Sequence, residues 1–196
     1  NKGFEYGTFD FIITNPPFGS NIRQTEQAYL KTYQLGKKEE DWLAVKAKAS
    51  DDTRDGQQSE VLFIEQDYKF LKEGGILAIV LPDGILTNSS MQYVRTQLED
   101  WFRIVAVVSM PQTAFAANGA GVKSSVLFLK KWSKEHTEEL VGKKKAIETT
   151  LLSDANYLET RNLWDKEIKQ KQKEKVDSLK TRELKSATAI KQTQAY

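Results

Sequence analysis

Phe9-Asp10-Phe11-Ile12-Ile13-Thr14 runs straight into Asn15-Pro16-Pro17-Phe18. The first six residues are a short apolar run rich in β-branched and aromatic side chains, which reads as a buried strand. Two consecutive prolines then stop the strand, fix φ and remove two backbone donors. The product is a rigid loop at the carboxyl end of a strand, where open α/β sheets hold their ligands. The Asn15 side-chain carbonyl and the Pro16 backbone carbonyl are acceptors, and proline has no N–H of its own to donate. Two acceptors aimed at one amino group draw its protons away and leave the nitrogen lone pair more nucleophilic. Phe18 can stack on a base, an interaction worth roughly 1–3 kcal/mol. The plainer reading is a strand-ending turn with Phe18 packed in a core.

Downstream, strand and helix patterns alternate. Val61, Ile64, Tyr68 and Leu71 fall at helical spacing, widened by Leu62 and Phe63, and predict a helix over about 58–73. Gly74-Gly75 is expected to end it. Ile76 to Leu81 is continuously apolar, as in a strand covered on both faces, and the strand is placed at 75–81. A helix follows at about 89–101, with Ser89 or Ser90 as its cap. Ile104 to Val108 repeats the buried-strand pattern within a strand at 103–109. A strand at 123–130 follows too soon for a crossover helix and should pair antiparallel with its predecessor. This rhythm argues for an α/β fold with a mostly parallel sheet.

Several stretches recur in one order: Asn15 to Ser20, Glu60 to Glu65, Leu71 to Asp83, Met110 to Phe115 and Gly121 to Leu129. This string resembles the adenine-N6 DNA methyltransferases, and most closely the modification subunits of type I restriction–modification systems. The resemblance covers about residues 4–132. It implies a partial Rossmann-like, S-adenosylmethionine-dependent methyltransferase fold: the second half of the sheet, its last strand inserted antiparallel, with a C-terminal helical extension. It implies that Asn15, Pro16, Pro17 and Phe18 are catalytic, that Phe115 is a second aromatic near a flipped base, and that Asp83 lies near the site. Lys123 is a candidate phosphate contact. S-adenosylmethionine is the implied cofactor, and the amino nitrogen would attack its methyl group directly.

The family's glycine-rich turn and acidic cofactor residue precede the Asn-Pro-Pro-Phe motif. Only 14 residues precede Asn15 here, and the first is Asn rather than Met. The expectation is a fragment, or one half of a split protein, inactive alone, whose cofactor half lies elsewhere. Asn118-Gly119-Ala120-Gly121 lacks the third glycine and the helix that a phosphate cradle needs. It reads as a DNA-facing loop or a wide hairpin connection. Residues 19–58 form a long polar connection, with short helices expected at Gln24 to Leu35 and Glu39 to Ala49.

Composition narrows the remaining choices. The 196 residues suit one domain with an appendage, here 1–132 followed by a charged helical tail, 133–196. There is no cysteine and a single histidine, His136, which argues against a zinc site or a thiol nucleophile. No catalytic metal is expected. No apolar run reaches membrane length and no signal pattern is present, so a cytoplasmic location is expected. Residues 1–129 carry 13 basic and 16 acidic side chains, leaving −3, whereas the rest carry 16 and 11, leaving +5. A basic tail can meet nucleic-acid phosphates or simply present a solvated helix face. The resemblance implies double-stranded DNA, the specificity subunit and the restriction subunit of a type I complex as partners. An RNA amino-methyltransferase and a non-catalytic assembly module are the alternatives.

Overall fold

The computed structural model describes residues 3–23, 27–38, 53–115 and 121–193. Its core is a four-stranded sheet of β1 (Phe9–Thr14), β4 (Leu71–Pro82), β5 (Phe102–Ser109) and β6 (Ser124–Lys131), in the order β1-β4-β6-β5. β1 and β4 pair in parallel, whereas β6 lies antiparallel to both β4 and β5. The expected antiparallel last strand is present, and its insertion makes the sheet mixed rather than mostly parallel. Because β6 is reversed, β1, β4 and β5 all run the same way. Their carboxyl ends and the start of β6 share one rim.

Two helices cover one face. α2 (Ser59–Phe70) contributes Val61 and Ile64, and α4 (Gln92–Trp101) contributes Val94, Leu98 and Trp101. They pack on Leu77, Ile79 and Leu81 of β4 and on Leu127 and Leu129 of β6. Tyr68 stacks on Trp101, with ring centroids 4.6 Å apart and planes 10° from parallel. Lys131 ties β6 to the end of α2: its ammonium donates to the Tyr68 and Leu71 carbonyls, both at 2.7 Å. Such a cation suits the negative end of the helix dipole.

The opposite face is bare among the described residues. Phe11 is 68% exposed and Ile13 is 87% exposed, although both lie in a run that reads as a buried strand. Val108 of β5, paired with Val126, is half exposed on this face, and Val107, paired with Leu127 on the helix-covered face, is half exposed as well. Both buried-strand readings therefore need correction. β1 and β5 are the two edges of the sheet, and only one face carries helices.

Gly74-Gly75 also differs from expectation. α2 ends at Phe70, and Leu71 already begins β4. The two glycines lie inside the strand, where the register against β1 slips: Phe9 faces Leu71, but Phe11 faces Ile76. This is a β-bulge. Gly74 has φ +73°, and a Cβ on Gly75 would sit 3.1 Å from the Phe9 carbonyl oxygen. No side-chain cap opens α4; a 3-10 turn at Ser89–Met91 leads into it instead.

The long connection after β1 is partly ordered by features that periodicity did not reveal. β2 (Asn21–Arg23) pairs antiparallel with β3 (Gly56–Gln58), closing its base. The described part of the first expected short helix is α1 (Gln27–Leu30). The second, Glu39 to Ala49, lies outside the described residues. Both carboxylate oxygens of buried Glu65 on α2 accept backbone N–H groups, from Gln34 and Leu35, at 2.9 Å each.

By its contacts the chain forms two units. Among the described residues, the first holds the sheet and runs to Lys144, and the second runs from Lys145. The boundary lies within α5 (Lys134–Ser153), and α6 (Ala155–Thr193) completes the second unit. No helix among the described residues is long and apolar enough to cross a membrane.

Candidate active site

The Asn15–Ser20 loop leaves β1 at the carboxyl rim of the sheet. Pro16 is buried, whereas Asn15 and Pro17 are exposed and Phe18 is half buried. No hydrogen bond to the Asn15 side chain occurs among the described residues.

The same rim carries the second aromatic. β5 ends at Ser109, and the chain turns through Met110–Phe115. Phe18 and Phe115 meet edge to face, with centroids 5.9 Å apart and planes at 81°. Residues almost 100 positions apart in sequence thus form one aromatic corner beside Asn15.

Lys123 and Asp83 occupy the same rim but are engaged by the protein. The Lys123 ammonium donates to Ser109 Oγ at 2.7 Å and to the Met110 carbonyl, tying the start of β6 to the end of β5. Asp83 accepts the Ser125 hydroxyl at 2.7 Å, and its backbone N–H donates to the Lys123 carbonyl at 2.9 Å. Both residues brace the rim in this structure. Residues Asn118 to Ala120 lie outside the described residues.

The sequence reading passed over two residues that touch the loop. Ser59 and Glu60 open α2 and are nearly inaccessible to solvent. The Ser59 hydroxyl donates to the Pro17 carbonyl at 2.9 Å, and its N–H donates to the Ser20 carbonyl at 2.9 Å. A Glu60 oxygen accepts the Gly19 N–H at 3.4 Å. Gly19 has φ +77°, a left-handed turn that glycine adopts at little cost. The signal available in sequence was a hydroxyl and a carboxylate at a helix start, where negative charge is favoured.

α2 also holds a buried acid with no partner. Asp67 Oδ2 is enclosed without a hydrogen bond. Burial pushes this carboxyl up to about 7. Among the described residues, no cluster of His, Cys, Asp or Glu could hold a metal ion.

The chain is similar to several known proteins. Over 153 residues the chain is 23% identical to the "Defense against restriction protein B" of Escherichia phage P1, a match covering 77% of this chain and 6% of that protein. A Listeria monocytogenes protein assigned to the class I S-adenosylmethionine-dependent methyltransferases superposes with a TM-score of 0.47 at 22% identity. That superposition covers 64% of this chain and 32% of the Listeria chain. A Vibrio vulnificus protein assigned as a type I restriction enzyme modification subunit gives 0.45 at 20% identity, covering 62% of this chain and 22% of its own. The chain therefore spans a third or less of the length of these relatives. The family model for N-6 DNA methylases matches residues 1–191, and the chain belongs to that family.

Proposed function

We propose that this chain is the base-holding half of an adenine-N6 DNA methyltransferase similar to a type I modification subunit. The observation that carries the reading is the convergence at one rim of an unengaged Asn15 amide, the Pro16 carbonyl and the Phe18–Phe115 corner. An adenine flipped from the duplex, at a cost of a few kcal/mol, presents one amino group and one flat face. Asn15 and Pro16 accept the amino hydrogens, while Phe18 and Phe115 hold the ring. Fixing the amino nitrogen in a reactive direction is the catalytic contribution of these residues.

S-adenosylmethionine is the cofactor that family membership implies, and it supplies the methyl group. The described residues do not by themselves form its pocket. Gly7, Gly19 and Gly74 have positive φ, yet none of them opens a helix. Among the described residues β1 is hydrogen-bonded on one side only, to β4, and the sheet face displaying Phe11 and Ile13 is uncovered. An open strand edge beside a bare apolar face is where a further sheet half would join. We read that half as the carrier of the cofactor site.

The tail is read as the surface for a protein partner, in a type I assembly the specificity subunit. Leu163, Trp164, Ile168, Val176 and Leu179 lie exposed along α6.

The test uses the protein in which these residues and a cofactor-binding half occur together. Methyl transfer to adenine in duplex DNA is expected, and Asn15→Ala should lower it at least 100-fold while S-adenosylmethionine binding persists. Full activity in that variant would refute the role of Asn15. Calorimetry on the 196-residue chain alone should show no S-adenosylmethionine binding, and saturable binding there would refute the half-site reading.

A further inference from the structure

The loop that carries Phe18 is held from behind by the start of α2. Pro16 and Pro17 already have φ fixed by their rings. The torsions still free to aim Phe18 are ψ of Pro17 and the φ and ψ of Phe18 itself. Each governs one of the two peptide planes that flank the Phe18 Cα. The plane before Phe18 carries the Pro17 carbonyl, which accepts the Ser59 hydroxyl at 2.9 Å. The plane after it carries the Gly19 N–H, which donates to Glu60 at 3.4 Å. A third bond, from the Ser59 N–H to the Ser20 carbonyl at 2.9 Å, fixes the exit of the loop. Two adjacent residues therefore fasten both planes around one aromatic ring.

The chemistry of the pair fits a fastening role. Ser59 and Glu60 are 7% and 2% exposed. A buried carboxylate is costly unless hydrogen bonds and nearby positive potential offset it. Glu60 has the Gly19 N–H and the positive end of the α2 dipole, while the Ser59 oxygen lies 3.3 Å from its other oxygen with its one proton given to the nearer Pro17 carbonyl. Glu60 forms no ion pair among the described residues, so its carboxylate serves the loop rather than a salt bridge.

We propose that Ser59 and Glu60 are positioning residues that set the direction of the Phe18 ring, and through it the stacking of the target base against Phe115. The proposal rests on the base-holding reading given above. It assigns no contact between either residue and the substrate.

Two measurements test it. In the 196-residue chain, Glu60→Ala should speed hydrogen exchange at the Gly19 amide at least tenfold, with the β4 amides of Leu77 to Ile79 unchanged. Glu60→Gln, which retains an acceptor, should keep most of the protection. In the protein that methylates DNA, Ser59→Ala should lower kcat/KM for DNA at least tenfold, leave the S-adenosylmethionine Kd within twofold, and be rescued by Ser59→Thr. Unchanged Gly19 exchange in Glu60→Ala, or equal losses in Ser59→Ala and Ser59→Thr, would overturn the proposal. Absence of methyl transfer by the unaltered protein would instead sink the base-holding reading. In that case Gly19 exchange still decides whether Glu60 fastens the loop.

Discussion

The Phe18 and Phe115 rings stand edge to face at 5.9 Å, so neither now presents a free slot between parallel faces. A base sandwiched between two rings needs them roughly 7 Å apart and near parallel, from a contact distance of about 3.5 Å on each side. On the proposed reading one ring must turn as a base enters, and because the backbone on both sides of Phe18 is hydrogen-bonded, Phe115 is the ring expected to turn. The two aromatics should therefore be coupled. In a double-mutant cycle on methyl transfer, Phe18→Ala and Phe115→Ala should be non-additive by about 0.5–1.5 kcal/mol. Strict additivity would mean that the base touches only one of them.

Asn15 is exposed and makes no side-chain hydrogen bond among the described residues. Its replacement by alanine should change folding stability by no more than about 0.5 kcal/mol. Thermal unfolding of Asn15→Ala beside the unaltered protein checks this. A large loss of stability would point to a structural duty for the amide.

The bulge at Gly74-Gly75 makes a graded prediction. Gly74→Ala meets only Lys130 Cε, at 3.9 Å, but forces a left-handed backbone at φ +73°, costing roughly 1–2 kcal/mol. Gly75→Ala brings its Cβ to 2.9 Å from Leu71 Cδ2 and from the Lys72 carbonyl oxygen. Backbone cannot yield as a flexible side chain can, so Gly75→Ala should be the more destabilising of the two in urea titrations. The reverse order would refute the close approach to β1.

Asp67 gives the protein a pH dependence of definite sign. Its carboxyl titrates near 7 when folded, against 3.8 without the burial. Over that interval the folded protein keeps a proton that the unfolded chain has released. The contribution is fully present below about pH 4 and is lost as pH rises through about 7. Asp67→Asn should therefore leave stability nearly unchanged below about pH 4 and raise it progressively above that, by about 1–3 kcal/mol at pH 8. Equal effects at both pH values would show that the carboxyl is not buried alone.

Much of this arrangement was legible in the chain. The turn from Thr14 into Asn-Pro-Pro-Phe fixed the end of β1, and the apolar runs at Ile76 to Leu81 and Ser125 to Leu129 marked two inner strands. Exposure was not legible: Phe11, Ile13 and Val108 announce that their face prefers cover, but not whether the cover belongs to this chain. Gly74-Gly75 looks the same in sequence whether it ends a helix or bulges a strand, because both need a positive φ. Phe115 could be placed only through resemblance, since its neighbour is set by how β6 threads between β4 and β5. Ser59 and Glu60 escaped notice because their partners are backbone atoms, which leave no mark in a residue pattern.

The reversal of β6 has a further consequence for change over time. Lys123 staples the start of β6 to the end of β5, so both feet of the segment between Pro111 and Val122 are anchored independently of its length. Insertions or deletions there leave the pairing of the sheet in register. The proposed amino-group grip on Asn15 and Pro16 sits on a different strand. Length can thus change between Phe115 and Val122 without rebuilding β1, while Phe115 itself stays tied to the end of β5.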